Sequence, residues 1–229
     1  MDKQHASRGR LFGFAFLVGL AATGGLLTFF TAGMPRIFAQ AQTQGLPRQT
    51  TPIQLDVTDG SSASYRVQEQ LAGVNFLNDA VGTTQSVTGT LMLEPDGSVN
   101  NVKSKLTIDL RSLKSDQERR DGYIQKRTLE TDKFPFAEFV PRRVQGLPSP
   151  FPTSGQAGFQ LTGDMAIHGM TSEVTWTGVA TFTSNQVVGR ATTNFNFSTF
   201  GLMKPQLARV LSVDEKIQLE VVFKFKRAG

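Results

Sequence analysis

Few side chains in this 229-residue chain have the chemistry to make or break a bond. It contains no cysteine, which removes thiolate nucleophiles, disulfides, Cys-ligated zinc and iron–sulfur clusters. Its two histidines are His5 and His168, so a multi-histidine metal centre is excluded within one chain. A Ser-His-Asp arrangement would have to be built on His168, which sits beside Gly169 and reads as a turn residue hydrogen-bonded to the backbone. No G-x-S-x-G elbow, P-loop or G-x-G-x-x-G fingerprint occurs. No catalytic residue, cofactor or metal ligand is therefore assigned, and the chain does not read as an enzyme.

Two other residue sets could bind without reacting. Lys114, Arg119, Arg120, Lys126 and Arg127 cluster along the chain, with Arg142 and Arg143 following. They are open to two readings: an anion site for a pyrophosphate or lipid headgroup, or a solvated face balanced by Asp116, Glu118, Asp121 and Glu130. Arg120-Asp121 could also form a structural ion pair. The second set is apolar: Leu106, Ile108, Leu110, Trp176, Phe182, Phe195, Phe197, Val221 and Phe223. These could line a cavity or fill a core.

Both sets must be positioned by strands, because the alternation is strict. Ile217, Leu219, Val221, Phe223 and Phe225 are interleaved with Gln218, Glu220, Val222, Lys224 and Lys226, which puts one apolar face on a strand. The same period runs through Leu106–Leu110, Leu161–Ile167, Val174–Phe182 and Phe195–Phe197. Glu94-Pro95-Asp96-Gly97-Ser98 is a hairpin signal, and His168-Gly169 and Ser184-Asn185 mark two more. About eight strands are expected, near 63–76, 84–94, 99–111, 134–145, 156–168, 172–183, 187–199 and 209–226, in an antiparallel sandwich or barrel. Ser115-Asp116-Gln117-Glu118 spells a capping box and predicts a short helix to about Leu129, with Ile124 and Leu129 against the sheet.

The net charge is +5, and its distribution argues against nucleic acid. Before Leu55 five basic residues face one acidic residue; from Leu55 onward 19 basic face 18 acidic. Between them, Leu11 to Met34 is 24 residues without charge, preceded by Lys3, Arg8 and Arg10. About 20 such residues span a bilayer core, and the positive-inside bias puts the N-terminus in the cytoplasm. Residues 1–35 are expected to be a transmembrane anchor or a signal peptide cut near Ala39-Gln40-Ala41. Residues 36–62, rich in Gln, Thr, Pro and Gly, are expected to be a flexible linker, and 63–229 the exported domain, periplasmic or on the extracytoplasmic face of the membrane.

That domain resembles the YceI-like family, the lipocalin-type polyisoprenoid-binding proteins of bacterial envelopes. The matching residues are Ser104 to Leu110 with Arg111-Ser112-Leu113, then Arg120-Asp121, then Lys133-Phe134-Pro135 with Glu138-Phe139. Leu161-Thr162-Gly163-Asp164-Met165-Ala166-Ile167-His168-Gly169-Met170-Thr171 follows the family's L-x-G-x-L-x-I-H-G-x-T hairpin. The resemblance spans about Ser64 to Lys226, and departs at Gln70-Leu71-Ala72-Gly73 and Asn78-Asp79. It implies an all-β, eight-stranded up-and-down lipocalin-like barrel with one short helix in a long connection. It further implies an isoprenoid or quinone-like lipid in the interior and a homodimer, for which the nine apolar residues with Arg119 and Arg120 are the expected binding set. The domain holds 12 of the 18 Phe, which suits an alkyl chain with nothing to hydrogen-bond. The alternative is a ligand-free envelope interaction or stress-related module whose partners bind its surface.

Overall fold

The computed structural model describes residues 49–206 and 208–228. The alternating segments form strands that pair in chain order, each antiparallel to the next. Strand β1 comprises Ile53–Val57 and Ser62–Leu71, and β2 comprises Leu77–Thr84 and Val87–Leu93. Strand β3 comprises Lys105–Asp109 and Lys114–Ser115. Then follow β4 (Phe136–Gln145), β5 (Gly155–Ile167), β6 (Met170–Phe182), β7 (Gln186–Asn196) and β8 (Lys216–Arg227). A short strand, Val210–Val213, prolongs β8 along the end of β1.

The ring closes because β8 pairs with β7 on one side and β1 on the other. Leu55 lies opposite Arg227 and Val57 opposite Phe225; after the break in β1, Ser62 lies opposite Val222 and Arg66 opposite Gln218. The result is a closed eight-stranded antiparallel up-and-down barrel, as the periodicity and the resemblance implied.

Breaks in the first three strands bend them around the barrel. In β1 the break is Thr58–Ser61, where Gly60 takes φ +91°, a conformation that favours glycine. The buried Ser61 hydroxyl donates to the Thr58 carbonyl at 2.9 Å and accepts from the Lys224 N–H at 3.0 Å. In β3 the break is a 3-10 turn at Leu110–Ser112, capped by the Asp109 carboxylate. In β4 the register shifts between Pro141 and Arg143. Proline offers no N–H to a ladder, so a bulge beside it leaves no bond missing.

Four expectations need correcting. The linker does not reach Ser62: Ile53–Val57 is a strand, with Ile53 and Leu55 buried and paired to Leu93 and Leu91. Ile53, Leu55 and Val57 do alternate with Gln54 and Asp56, but a run of five residues is too short to stand out from the turn-forming residues around it. The strand expected at 63–76 ends at Leu71, and the one expected at 99–111 starts at Lys105 after a turn through Asn100–Lys103. The helix α1 runs Glu118–Tyr123 and continues as a π turn, Ile124–Thr128, with Gln117 rather than Ser115 at its N-cap. Ser115 is held in a strand pair with Gly82, and its hydroxyl donates to the Asp121 carboxylate at 2.6 Å instead of capping the helix. Ile124 and Leu129 are buried as expected.

The segment read as an anchor or signal, residues 1–35, lies outside the described residues. Among those described, no helix is long and apolar enough to cross a membrane.

Candidate functional site

Because side chains alternate across each strand, every second residue of the ring points inward. The inward rows include Ala63, Tyr65, Val67 and Glu69 on β1, Val174, Trp176 and Phe182 on β6, and Ile217 to Phe225 on β8. An eight-stranded barrel has just enough room for its own side chains or for one small ligand. Here small inward residues leave space: Ala63, Ala80, Ala137, Ala180 and Ala191 all face it.

The space consists of two chambers at opposite ends of the strands, with volumes of about 110 and 100 Å³. A single water needs only about 10–15 Å³ on the same measure. The first chamber lies at the α1 end, walled by Leu110, Leu113, Ile124, Phe195, Phe197 and Ile217. The second is walled by Leu55, Leu91, Phe159, Phe182, Phe223 and Phe225. Ile108, Ala137, Met165, Trp176 and Val221 belong to both and form the waist. Edge-to-face aromatic pairs stiffen the second chamber, with Phe151 against Phe182 at 5.3 Å and Phe159 against Phe223 at 5.8 Å between centroids.

The structure brings all nine sequence-derived apolar residues to these walls. Leu110, Phe195 and Phe197 face the α1-end chamber; Leu106, Phe182 and Phe223 face the other; Ile108, Trp176 and Val221 stand at the waist. The single Trp, 5 % exposed, packs edge-on to Phe139 at 6.3 Å, and its indole N–H is buried with no acceptor among the described residues.

The cations divide. Arg120 turns inward, its side chain 9 % exposed, and donates to Glu69 Oε1 and to Asp116 Oδ1 at 2.6 Å each. Arg119 is exposed and lines neither chamber. Neighbouring helical residues differ by about 100° in direction, so one of the pair faces in and the other out. Arg142 pairs with Asp164, and the Arg120-Asp121 pair does not form, because Asp121 serves Ser115.

Glu69 and Tyr65 are site residues that the pattern did not single out. The one available signal was a carboxylate at the end of the apolar row Ala63, Tyr65, Val67. Burial pushes the Tyr65 phenol well above its ordinary range, and the carboxylates of Asp121, Glu69 and Asp116 add to this against the opposing Arg120 charge. The phenol is therefore neutral at physiological pH.

His168 lies at the β5–β6 turn with φ +53°, in neither chamber. Its Nε2 is 2.9 Å from Glu130 Oε2, a side-chain partner rather than the expected backbone one, and its ring packs on Phe134 at 4.8 Å. That is the geometry of a corner fastening. Among the described residues no group of three or more His, Asp or Glu is arranged to hold a metal.

Comparison with known proteins bears on this architecture. UPF0312 proteins of Pseudomonas putida strains W619 and GB-1 are each 29 % identical over 125 residues, covering 50 % of this chain and 62 % of the relative. The chain thus matches less than two thirds of the length of these curated relatives. A polyisoprenoid binding domain from Saccharophagus degradans, implicated in plant cell wall breakdown, superposes with a TM-score of 0.59 at 12 % identity, over 77 % of this chain and 98 % of that one. BcnA of Burkholderia cenocepacia gives a TM-score of 0.53 at 15 % identity, over 72 % and 95 %. At these identities the structural matches establish the shared fold. The model of the YceI-like domain matches residues 53–225, from the first strand of the barrel into the last, and the chain belongs to that family.

Proposed function

We propose that this protein binds an isoprenoid or similar quinone-like lipid inside the barrel and carries or sequesters it without catalysing a reaction. The observation that carries the reading is the pair of chambers meeting at Trp176, walled by aliphatic and aromatic side chains from all around the ring. Such walls reward a hydrocarbon chain at about 25 cal/mol per Å² of apolar surface removed from water. Their few polar residues, among them Tyr65 and the ion-paired Glu69 and Arg120, have no histidine beside them to act as a base, because the one described histidine lies outside both chambers. The polyisoprenoid-binding domain of the same fold supports the ligand class. The uncharged run Leu11–Met34 behind Lys3, Arg8 and Arg10 supports a reading as an exported barrel on the extracytoplasmic side of a membrane, tethered if the segment is retained.

The test uses residues 49–229 purified without detergent. Native mass spectrometry is expected to show a lipid-sized mass increment, and an added polyprenyl quinone is expected to quench the emission of Trp176, the single Trp. A uniform ligand-free mass with unchanged Trp176 emission overturns the reading and leaves a surface interaction module. The same spectra report whether the homodimer forms.

A further inference from the structure

In an up-and-down barrel every second connection lies at the same end. The β1–β2, β3–β4, β5–β6 and β7–β8 connections therefore crown the α1-end chamber, and the chain termini of the barrel lie at the other end. Nine large apolar residues are exposed in the described structure, and six belong to this crown. They are Phe76 and Leu77 at the first hairpin, 70 % and 58 % exposed; Met203 and Leu211 in the β7–β8 connection, 62 % and 69 %; and Phe136 and Met170. The first hairpin and the β7–β8 connection are neighbours: Val210 pairs with Leu71, and the Ala72 N–H donates to the Arg209 carbonyl at 2.9 Å. The patch is also continuous with the chamber. Leu202, Pro205 and Val213 line its wall, while Met203 and Leu211 of the same segment face out.

In and beside the connections of this end stand Lys114, Arg119, Lys126, Arg127 and Arg209, all exposed and none in an ion pair among the described residues, and they outnumber the exposed, likewise unpaired Glu118, Asp132 and Asp214. The helix that carries most of them is fastened to the rim by Arg120 and Glu69. Protruding apolar side chains ringed by unpaired cations match a leaflet, whose anionic headgroups meet the cations while the acyl region accepts the apolar tips.

We propose that this crown is a docking surface for an anionic lipid bilayer, set at the mouth of the α1-end chamber. The surface is read from its own residues; its use for loading the barrel rests on the lipid-binding reading. A polyisoprenoid is scarcely soluble in water, and a mouth seated on a leaflet removes the aqueous crossing.

The test uses the full chain with vesicles of phosphatidylglycerol and brominated phosphatidylcholine, with no isoprenoid added. Emission from Phe76→Trp, read above the Trp176 background, is expected to fall at least about twofold. Val102→Trp probes the opposite end of the barrel, where Val102 is 91 % exposed, and is expected to stay unquenched. Replacing phosphatidylglycerol by zwitterionic lipid, or Lys126→Glu with Arg127→Glu, is expected to remove about half or more of the Phe76→Trp quenching. Equal quenching at both positions, or none at Phe76→Trp, overturns the proposal. So does a concentration-dependent blue shift of Phe76→Trp without vesicles, which would mark a second copy as the occupant. Quenching at the crown in a protein whose barrel carries no lipid would keep the surface and remove the cargo; bound lipid without quenching would do the reverse.

Discussion

Glu69 and Arg120 are charged groups placed where the barrel is otherwise apolar. Each is nearly shielded from water, so each depends on the other, with Asn78 adding a hydrogen bond to Glu69 at 3.2 Å and Asp116 one from Arg120. Removing one partner of a buried pair strands the remaining charge, at a cost of about 3–5 kcal/mol, whereas replacing both with apolar residues is often near neutral. Glu69→Met and Arg120→Met are each expected to lower the urea midpoint strongly, and the double variant less than either single one. Equilibrium urea denaturation of the three checks this; additive losses would remove the pair from the account. Such a residue is hard to read in sequence, because its partner lies 51 positions away and nothing local marks the match. The apolar wall residues were legible for the opposite reason: alternation alone puts Val221 and Phe223 on one face of the strand and Val222 on the other. Which of Arg119 and Arg120 turns inward was not legible, because a single step along a short helix decides between solvent and interior.

At the scale of elements, the helical connection is pinned to the β5–β6 hairpin through Glu130. Its carboxylate accepts from Lys133 at 2.8 Å and meets His168 at 2.9 Å, and these hydrogen bonds, Lys133 first, hold it below the usual carboxylate range. A depressed folded-state value stabilises the fold above the unfolded value of about 4.3 and loses that contribution as pH falls through the folded value. Wild type is therefore expected to melt above Glu130→Gln at neutral pH, with the gap closing on acidification below about 4.3. Thermal midpoints across pH 3–7 measure it, and a gap independent of pH would sink the assignment. The hairpin itself was legible, since His168-Gly169 suits a two-residue turn with both residues at positive φ. The capping box was not, because Ser115 is claimed first by its strand pairing with Gly82.

The whole molecule depends on its first five strand residues. Ile53–Val57 fills the gap between Leu91–Leu93 of β2 and Phe225–Arg227 of β8, and Leu55 is only 2 % exposed. A chain begun at Thr58 would lose two buried aliphatic side chains, each worth about 2–5 kcal/mol, and would expose both flanking edges. That is comparable with the entire stability of an ordinary domain, about 5–15 kcal/mol. Such a chain is expected to lack a cooperative thermal transition by circular dichroism, whereas one begun at Gln49 melts cooperatively. Equal melting of the two would show the closure to be dispensable. The barrel as a class was readable from alternation, but its starting point was not, since only pairing with the far end of the chain makes a strand of these residues.

That pairing also orders events in time. The Thr58 hydroxyl donates to the Lys224 carbonyl across 166 positions of sequence, and a ribosome adding about 5–20 residues per second needs roughly 10–30 s to make that interval. Throughout it the nascent chain has two open edges and no means of sealing them. Closure of the ring therefore waits until the last strand has been made, and the interval leaves time for a holding chaperone to act before the ring closes.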